Sequence, residues 1–379
     1  MTVPAYPAAR IVAATAQDYF ARHLAAARRQ GQLELAHAPA ALDIESIIDA
    51  AFWASLRREE GYPPKISLAL LPPEQAGQPL KFEAPLALNP YTLSKLAPAV
   101  ERPGIHLGVW RADGELFIWG TTRALPRLCF VSEVIEPGLL VIKYSRGRDP
   151  GKFVNVAVLK GDQIKVVDEE GDALPDCPDL LTSMLGFGAQ DARAESLNVL
   201  VLLAVSMRAH GRGGSLLVVP QGSEAWRESI VQPVNYAVSP PYTELAELMS
   251  QEESERVERP WQDALRRAVD AIGGLTAVDG AAVISSSYEL LAFGAKISRR
   301  RGAPQVEQVV FTEPVVGGAP SVVHPVQVGG TRHLSAAQFV HDQQDTVALI
   351  ASQDGRFTVF AWSPCEEMVH AHRVETLLL

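Results

Sequence analysis

The chain has 379 residues, 47% hydrophobic and 21% charged, an ordinary globular composition and enough chain for two domains with separate cores. Its formal net charge of −10 argues against a surface that coats nucleic acid, which needs a basic face, while leaving room for a local basic pocket. Cys129, Cys177 and Cys365 are widely spaced with no Cys-x-x-Cys, which fits reduced structural thiols and gives no zinc pattern. Met1 to Tyr19 has no basic stretch followed by an apolar core, and the longest apolar run, Leu197–Val205, is interrupted by Asn198. The expectation is a cytoplasmic protein with no signal peptide and no membrane span.

In chain order, residues 11–30 predict a helix with Tyr19, Phe20 and Leu24 on one side and Arg28-Arg29 near its end. Asp43 reads as the N-cap of a second helix, in which Ile44, Ile47, Ile48, Ala51, Phe52 and Leu56 recur at helical spacing. Gly61 and Pro63-Pro64 stop it. From Lys65 to Val167 the pattern becomes short strands: an alternating Ile66–Leu70, and a hairpin of Leu107–Trp110 and Leu116–Trp119 turning at Asp113-Gly114. Leu139–Tyr144, Val154–Leu159 and Ile164–Val167 follow. A mixed domain with a largely antiparallel sheet results, in which Trp110 and Trp119 read as sheet-packing residues.

Pro175–Gly188 reads as the connector between domains. A helix from Asp191 to about His210 follows, then strand Ser215–Val219, the loop Pro220–Ser223, a segment Glu224–Ile230, and helices Glu244–Met249 and Pro260–Ile272. The charge run Gln251–Arg256 reads as a solvated face. Strands at Ala281–Ile284 and Leu290–Phe293 flank the turn Ser285–Ser287, and helix 334–343 precedes a hairpin over 346–360. Pro364–Leu379 reads as a helical tail with Met368, Val374 and Leu377 apolar. The domain boundaries expected are 1–185, 190–362 and a tail 363–379. The fold class is α/β (α+β), with a C-terminal mixed sheet flanked by helices behind a smaller mixed α+β domain.

Two stretches carry chemistry. Ala277-Val278-Asp279-Gly280-Ala281 puts one carboxylate and small residues at the head of the apolar run Ala282–Ile284. Gly329-Gly330-Thr331-Arg332-His333-Leu334-Ser335 puts glycines, a hydroxyl, a guanidinium and an imidazole ahead of a helix-like segment, Ser335–Gln343. Glycines leading into a helix N-terminus offer free amides and the helix dipole to an anion, and arginine and histidine add charge-assisted donors. Thr331 and Ser335 can cap the helix as well as bind. A strand-end carboxylate can hold a metal ion or take a proton from a hydroxyl. The combination points to phosphate chemistry on a nucleotide. Taken alone, Asp279 is a turn aspartate before glycine, Arg332 a surface arginine and His333 a core histidine; His210, His324 and His341 read as ordinary structural or surface residues.

The ordered set resembles the diadenylate cyclase (DAC) domain, which condenses two ATP into cyclic di-AMP. Asp279-Gly280-Ala281 matches its Asp-Gly-Ala, Gly330-Thr331-Arg332-His333 its Arg-His-Arg stretch, and Ser352-Gln353-Asp354-Gly355 its hairpin. Gly213-Gly214-Ser215-Leu216-Leu217-Val218-Val219 matches an upstream strand, so the likeness spans about residues 190–362. It implies Asp279 as catalytic residue and Gly280, Ala281, Gly330, Thr331, Arg332, His333 and Ser335 as nucleotide-binding residues. It further implies Asp279 with His333 at a divalent metal (Mg²⁺ or Mn²⁺), ATP as substrate, and a face-to-face homodimer or higher assembly. Leu334 stands where the family has its second arginine, Val278 where it often has histidine, and the connection from Lys296 to Gly329, with Arg299-Arg300-Arg301, is longer than in compact members. The arginine run reads as a solvated loop or as a source of the missing cation. The alternative function is a catalytically inactive nucleotide-binding sensor, and a third is a structural scaffold. Upstream, Glu59–Tyr62, Gly120–Thr122, Glu133–Val141 and Lys152–Leu159 resemble the DACNV domain, a sensor-type domain found ahead of DAC domains, which implies that the N-terminal domain controls the second.

Overall fold

The computed structural model describes residues 5–112, 114–147, 153–168, 199–252, 254–256 and 258–379. The chain forms two compact units, Met1–Val167 together with Leu379, and Asp168–Leu378. The expected connector 175–188, Cys177, Asp113 and the first turns of the helix expected from Asp191 lie outside the described residues.

In the first unit, helix α1 (Pro7–Arg29) opens on a proline whose missing N–H costs nothing there and closes on Arg28 and Arg29, which suit the negative end of the helix dipole. It buries Val12, Ala16, Phe20 and Leu24. Helix α2 (Ala41–Ser55) buries Ile44, Ile47, Ile48 and Ala51. Its N-cap is Ala40, not Asp43. Asp43 sits in the first turn, where the dipole favours it, and its carboxylate pairs with Arg111. The helix also stops at Ser55, well ahead of Gly61.

Strand β1 (Ile66–Leu70) is buried at every position, where alternation suggested one wet face. The reason is its central place in an eight-stranded sheet with both faces covered. Ile66, Leu68 and Leu70 join the large core under the helices, while Ala69 joins a smaller cluster with Leu71, Trp119, Leu125 and Val131. The other members are β2 (Leu80–Ala87), β3 (His106–Ala112), β4 (Glu115–Thr122), β5 (Phe130–Glu136), β6 (Leu139–Ser145), β7 (Phe153–Lys160) and β8 (Gln163–Val166), with α3 (Pro90–Val100) between β2 and β3. The order is β2-β4-β3-β1-β5-β6-β7-β8, and among the described residues only the β1–β3 pairing is parallel. Trp119 is a packing residue: its ring covers Gly108, where a Cβ would come within 2.0 Å, and its indole N–H donates to the Leu71 carbonyl at 2.8 Å.

The second unit contains α4 (Val199–Ala209), β9 (Gly214–Val219), β10 (Tyr236–Tyr242), α5 (Glu244–Ser250), α6 (Arg259–Leu275), β11 (Ala281–Ser285) and β12 (Leu290–Ala295). These are followed by β13 (Val309–Thr312), β14 (Ser321–Val323), α7 (Pro325–Val328), α8 (Thr331–Asp342), β15 (Val347–Ala351), β16 (Phe357–Ser363) and β17 (Met368–Arg373). The nine-stranded sheet runs β10-β12-β11-β9-β15-β16-β17-β13-β14. Leu216, Ala282, Ile284 and Leu349 pack under α4, α5 and α6; Leu217, Val283, Ala348 and Ile350 pack against Ala336, Phe339 and Val340 of α8. This is the mixed sheet flanked by helices that the apolar patterning predicts.

Two expectations change. The residues expected as a tail helix form β17, paired with β16 on one side and β13 on the other, then a 3-10 turn at Glu375–Leu377. Val369 and Ala371 alternate with His370 and His372, a period of two that belongs to a strand. The long connection before Gly329 likewise holds β13, β14 and α7.

Candidate functional site

Gly280 sets the first motif. Its φ of 120° is left-handed, and a Cβ there would lie 2.4 Å from the Gly294 carbonyl carbon, so glycine alone lets β11 start this close to β12. Asp279 is thereby presented at the head of β11 with its side chain 91% exposed. Its carboxylate pairs with Lys296, just after β12. That hydrogen bond and charge, with a further contribution from Arg332, hold it below the usual carboxylate range. Asp279 is therefore ionised at neutral pH and within electrostatic reach of the second motif.

The second motif differs in register from expectation. Helix α8 begins at Thr331, so Arg332 and His333 lie in its first turn rather than ahead of it. Gly330 is the N-cap, and neither Thr331 nor Ser335 caps the helix. The amides of His333 and Leu334 donate to the Gly330 carbonyl at 3.0 and 3.3 Å. Those of Thr331 and Arg332 project from the helix end, where no intrahelical acceptor exists. Arg332 runs beside Gly213, whose left-handed φ of 71° accounts for a glycine ahead of β9.

The hairpin closes the site. Gly355 takes a left-handed φ of 83°, and the Ser352 amide donates to the Arg356 carbonyl at 2.9 Å. Ser352, Gln353, Asp354 and Arg356 line, with residues 329–333, a cleft of about 310 Å³. The Gln353 side chain also donates to the Arg212 carbonyl at 3.3 Å. Residues distant in sequence, 213, 329–333 and 352–356, thus come together. Asp279, Gly280, Ala281 and Ser335 are not among the lining residues; Ala281 is buried under α8 and Ser335 lies in the helix's second turn.

His333 plays a different part from the one its motif suggests. It is 2% exposed and edge-on to Phe360, with Nε2 3.3 Å from the Thr358 hydroxyl. A Cβ on Gly329 would meet its Nδ1 at 2.3 Å, so that glycine makes room for the ring. Burial, helped by Arg373, lowers its pKa to about 4. The ring is neutral at pH 7 and adds no charge for phosphate. No group of three or more His, Cys, Asp or Glu side chains is placed to hold a metal among the described residues, and His333 is engaged in packing. Of the two residues expected at a metal, Asp279 is the one with an exposed carboxylate, and that carboxylate pairs with Lys296.

A pH dependence follows. Because the folded pKa is lowered, the unfolded chain takes up the proton first, so stability is intact above pH 6.5 and is lost as pH falls towards 4. At pH 5 the expected loss from this site is about 2 kcal/mol. Unfolding measured at pH 7.5 and pH 5 should show a smaller acid loss in His333→Gln than in the parent; equal losses would show that this ring is not the titrating group.

None of Arg299, Arg300 and Arg301 lines the cleft, and Arg300 is engaged elsewhere. The Arg300 guanidinium pairs with Glu228 at 2.8 Å, and its amide donates to Asp342 at 2.7 Å, at the far end of α8. A 12-residue helix places that end roughly 18 Å from the first turn. A cleft residue that sequence reasoning did not single out is Arg356, signalled only by a basic residue directly after the hairpin glycine.

No described helix is long and apolar enough to cross a membrane. No curated protein matches the chain. The stretches Glu133–Val141 and Lys152–Leu159, which resemble DACNV in sequence, lie beyond the matched residues, as does the whole cleft. Residues 33–123, from before α2 through β4, match the family described as "Probable sensor domain DACNV", a sensor domain associated with diadenylate cyclases.

Proposed function

We propose that the second unit is a diadenylate cyclase-type nucleotidyltransferase, condensing two ATP into cyclic di-AMP with release of pyrophosphate, under the control of the N-terminal sensor domain. The observation that carries this reading is the cleft at the start of α8, where Arg332, two helix-end amides and the hairpin meet within electrostatic reach of Asp279. Amides and guanidinium orient a triphosphate. A ribose 3′-hydroxyl, its proton passing to solvent water as the new bond forms, then attacks the α-phosphorus of the second ATP, the bond from that phosphorus to the bridging oxygen breaks, and pyrophosphate leaves.

Asp279 is a weak base, because Lys296 and Arg332 stabilise its charge. Its role is better matched to orienting the hydroxyl and to holding Mg²⁺ or Mn²⁺, which needs only one or two carboxylates when substrate phosphates supply the other ligands. The metal, when bound, neutralises phosphate charge. One Asp279/Arg332 set holds one ATP, so a cyclic product calls for two copies facing each other, a homodimer or a higher assembly.

Incubating the chain with ATP and either metal, and resolving the products by mass, tests this. The expected result is a cyclic dinucleotide with two pyrophosphates released per product, and a specific activity that rises with protein concentration where the dimer is weak. The uncharged Leu334 favours a second reading, a nucleotide-binding module without turnover. ATP stabilising the fold by about 2.7 kcal/mol at a hundredfold excess over Kd, with no product, would establish that reading instead.

A further inference from the structure

We propose that Arg356 is the second cation of the nucleotide site and grips the polyphosphate tail of a nucleoside triphosphate, taking over the charge absent at Leu334. This inference rests on the cyclase-type reading of the cleft. Arg332 and Arg356 come from separate segments, the first turn of α8 and the turn between β15 and β16, yet line one cleft. Both guanidinium groups also act electrostatically on the His333 ring, so the cleft carries two positive charges in a chain of net charge −10. An anion entering the cleft meets both charges, and each guanidinium offers forked donors that suit phosphate oxygens.

Asp279 lies within electrostatic reach of Arg332, and the counter-charge on Arg356 is partial. Arg356 Nε stands 3.3 Å from Asp354 Oδ2, with side chains 52% and 55% exposed. An exposed pair of this kind is weak, so a multiply charged phosphate chain can displace Asp354 from Arg356. Asp354 is itself fixed by the turn, its Oδ1 accepting from the Arg356 amide at 3.3 Å. It thus holds the guanidinium at the cleft mouth without neutralising it fully. Two arginines reaching in from different segments fit an extended anion with charge along its length, a triphosphate rather than a single phosphate. The arginine expected at 334 would have reached the same anion from the helix; Arg356 reaches it from the hairpin.

The test compares the full-length parent, Arg356→Met, Arg356→Lys and Arg332→Met for binding of ATP, inorganic pyrophosphate and AMP by calorimetry with Mg²⁺ present. Loss of a charged hydrogen-bond partner should weaken ATP and pyrophosphate in Arg356→Met by about tenfold to a hundredfold, and AMP by less than about threefold. Arg356→Lys should recover part of the loss, and unchanged thermal midpoints would show that the variants are folded. If Arg356→Met binds ATP like the parent while Arg332→Met does not, Arg356 is no cation of this site, and the cyclase reading stands. If AMP weakens as much as ATP, the assignment to the polyphosphate tail is wrong. If neither variant alters ATP binding, the nucleotide reading of the cleft falls with it.

Discussion

Asp279→Asn should lower dinucleotide formation by about a hundredfold to a thousandfold, the usual loss when a charge at the reacting centre is removed, while ATP affinity changes little. The substitution keeps shape and removes only charge. It should cost the fold little, because the side chain is 91% exposed and its partner Lys296 is itself about half-exposed, so the ion pair is weak. Pyrophosphate release, ATP binding and thermal midpoint, measured together, separate chemistry from folding. Mixing the variant with parent should lower activity by more than dilution, since a mixed pair cannot complete both bonds. Unchanged turnover in the variant would remove Asp279 from the mechanism.

Gly280→Ala carries the second large effect, on stability and through it on the site. The new Cβ would sit 2.4 Å from the Gly294 carbonyl carbon, at a φ of 120° that L residues avoid. Backbone cannot yield as a side chain tip can, so strain and overpacking together should cost on the order of 2–5 kcal/mol and displace Asp279. Gly330→Ala is the control: nothing lies within 4 Å of its Cβ position and its φ is −77°. As a change at an N-cap, it should cost within about 1 kcal/mol. Denaturant unfolding of both variants decides the matter, and equal stabilities would show that the close approach of β11 to β12 does not fix Asp279.

What the sequence makes legible here follows from local signals. The apolar runs of β9 and β11 and the glycine-punctuated hairpin of β15 and β16 are readable because each pattern is complete within a few residues. Strand β2 is not, since it is exposed along nearly all its length and carries Pro85 as an edge strand can. Strand β17 hides because two buried histidines occupy alternate positions where aliphatics would announce a strand. At the site, the glycines and Arg332 are legible as an anion motif. The neutral state of His333 is not, because it depends on Phe360 and Thr358 from another strand. Arg356 escapes for the same reason, since only the folded hairpin sets it in the cleft that Arg332 lines.

The matched sensor stretch ends inside a sheet, which bears on how that unit can be handled. Residues 33–123 supply β1 and its parallel neighbour β3, but the other side of β1 is hydrogen-bonded by β5, through pairs such as Ile66 with Val134 and Ala69 with Val131. Excised at those limits, the fragment would present a five-residue, normally buried strand with its amides and carbonyls bare, a ready template for sticking to other chains. It would also lose α1, whose Phe20 packs on Phe130 of β5. Ligand screens on the sensor therefore belong on a piece reaching at least to β8, where the sheet is complete.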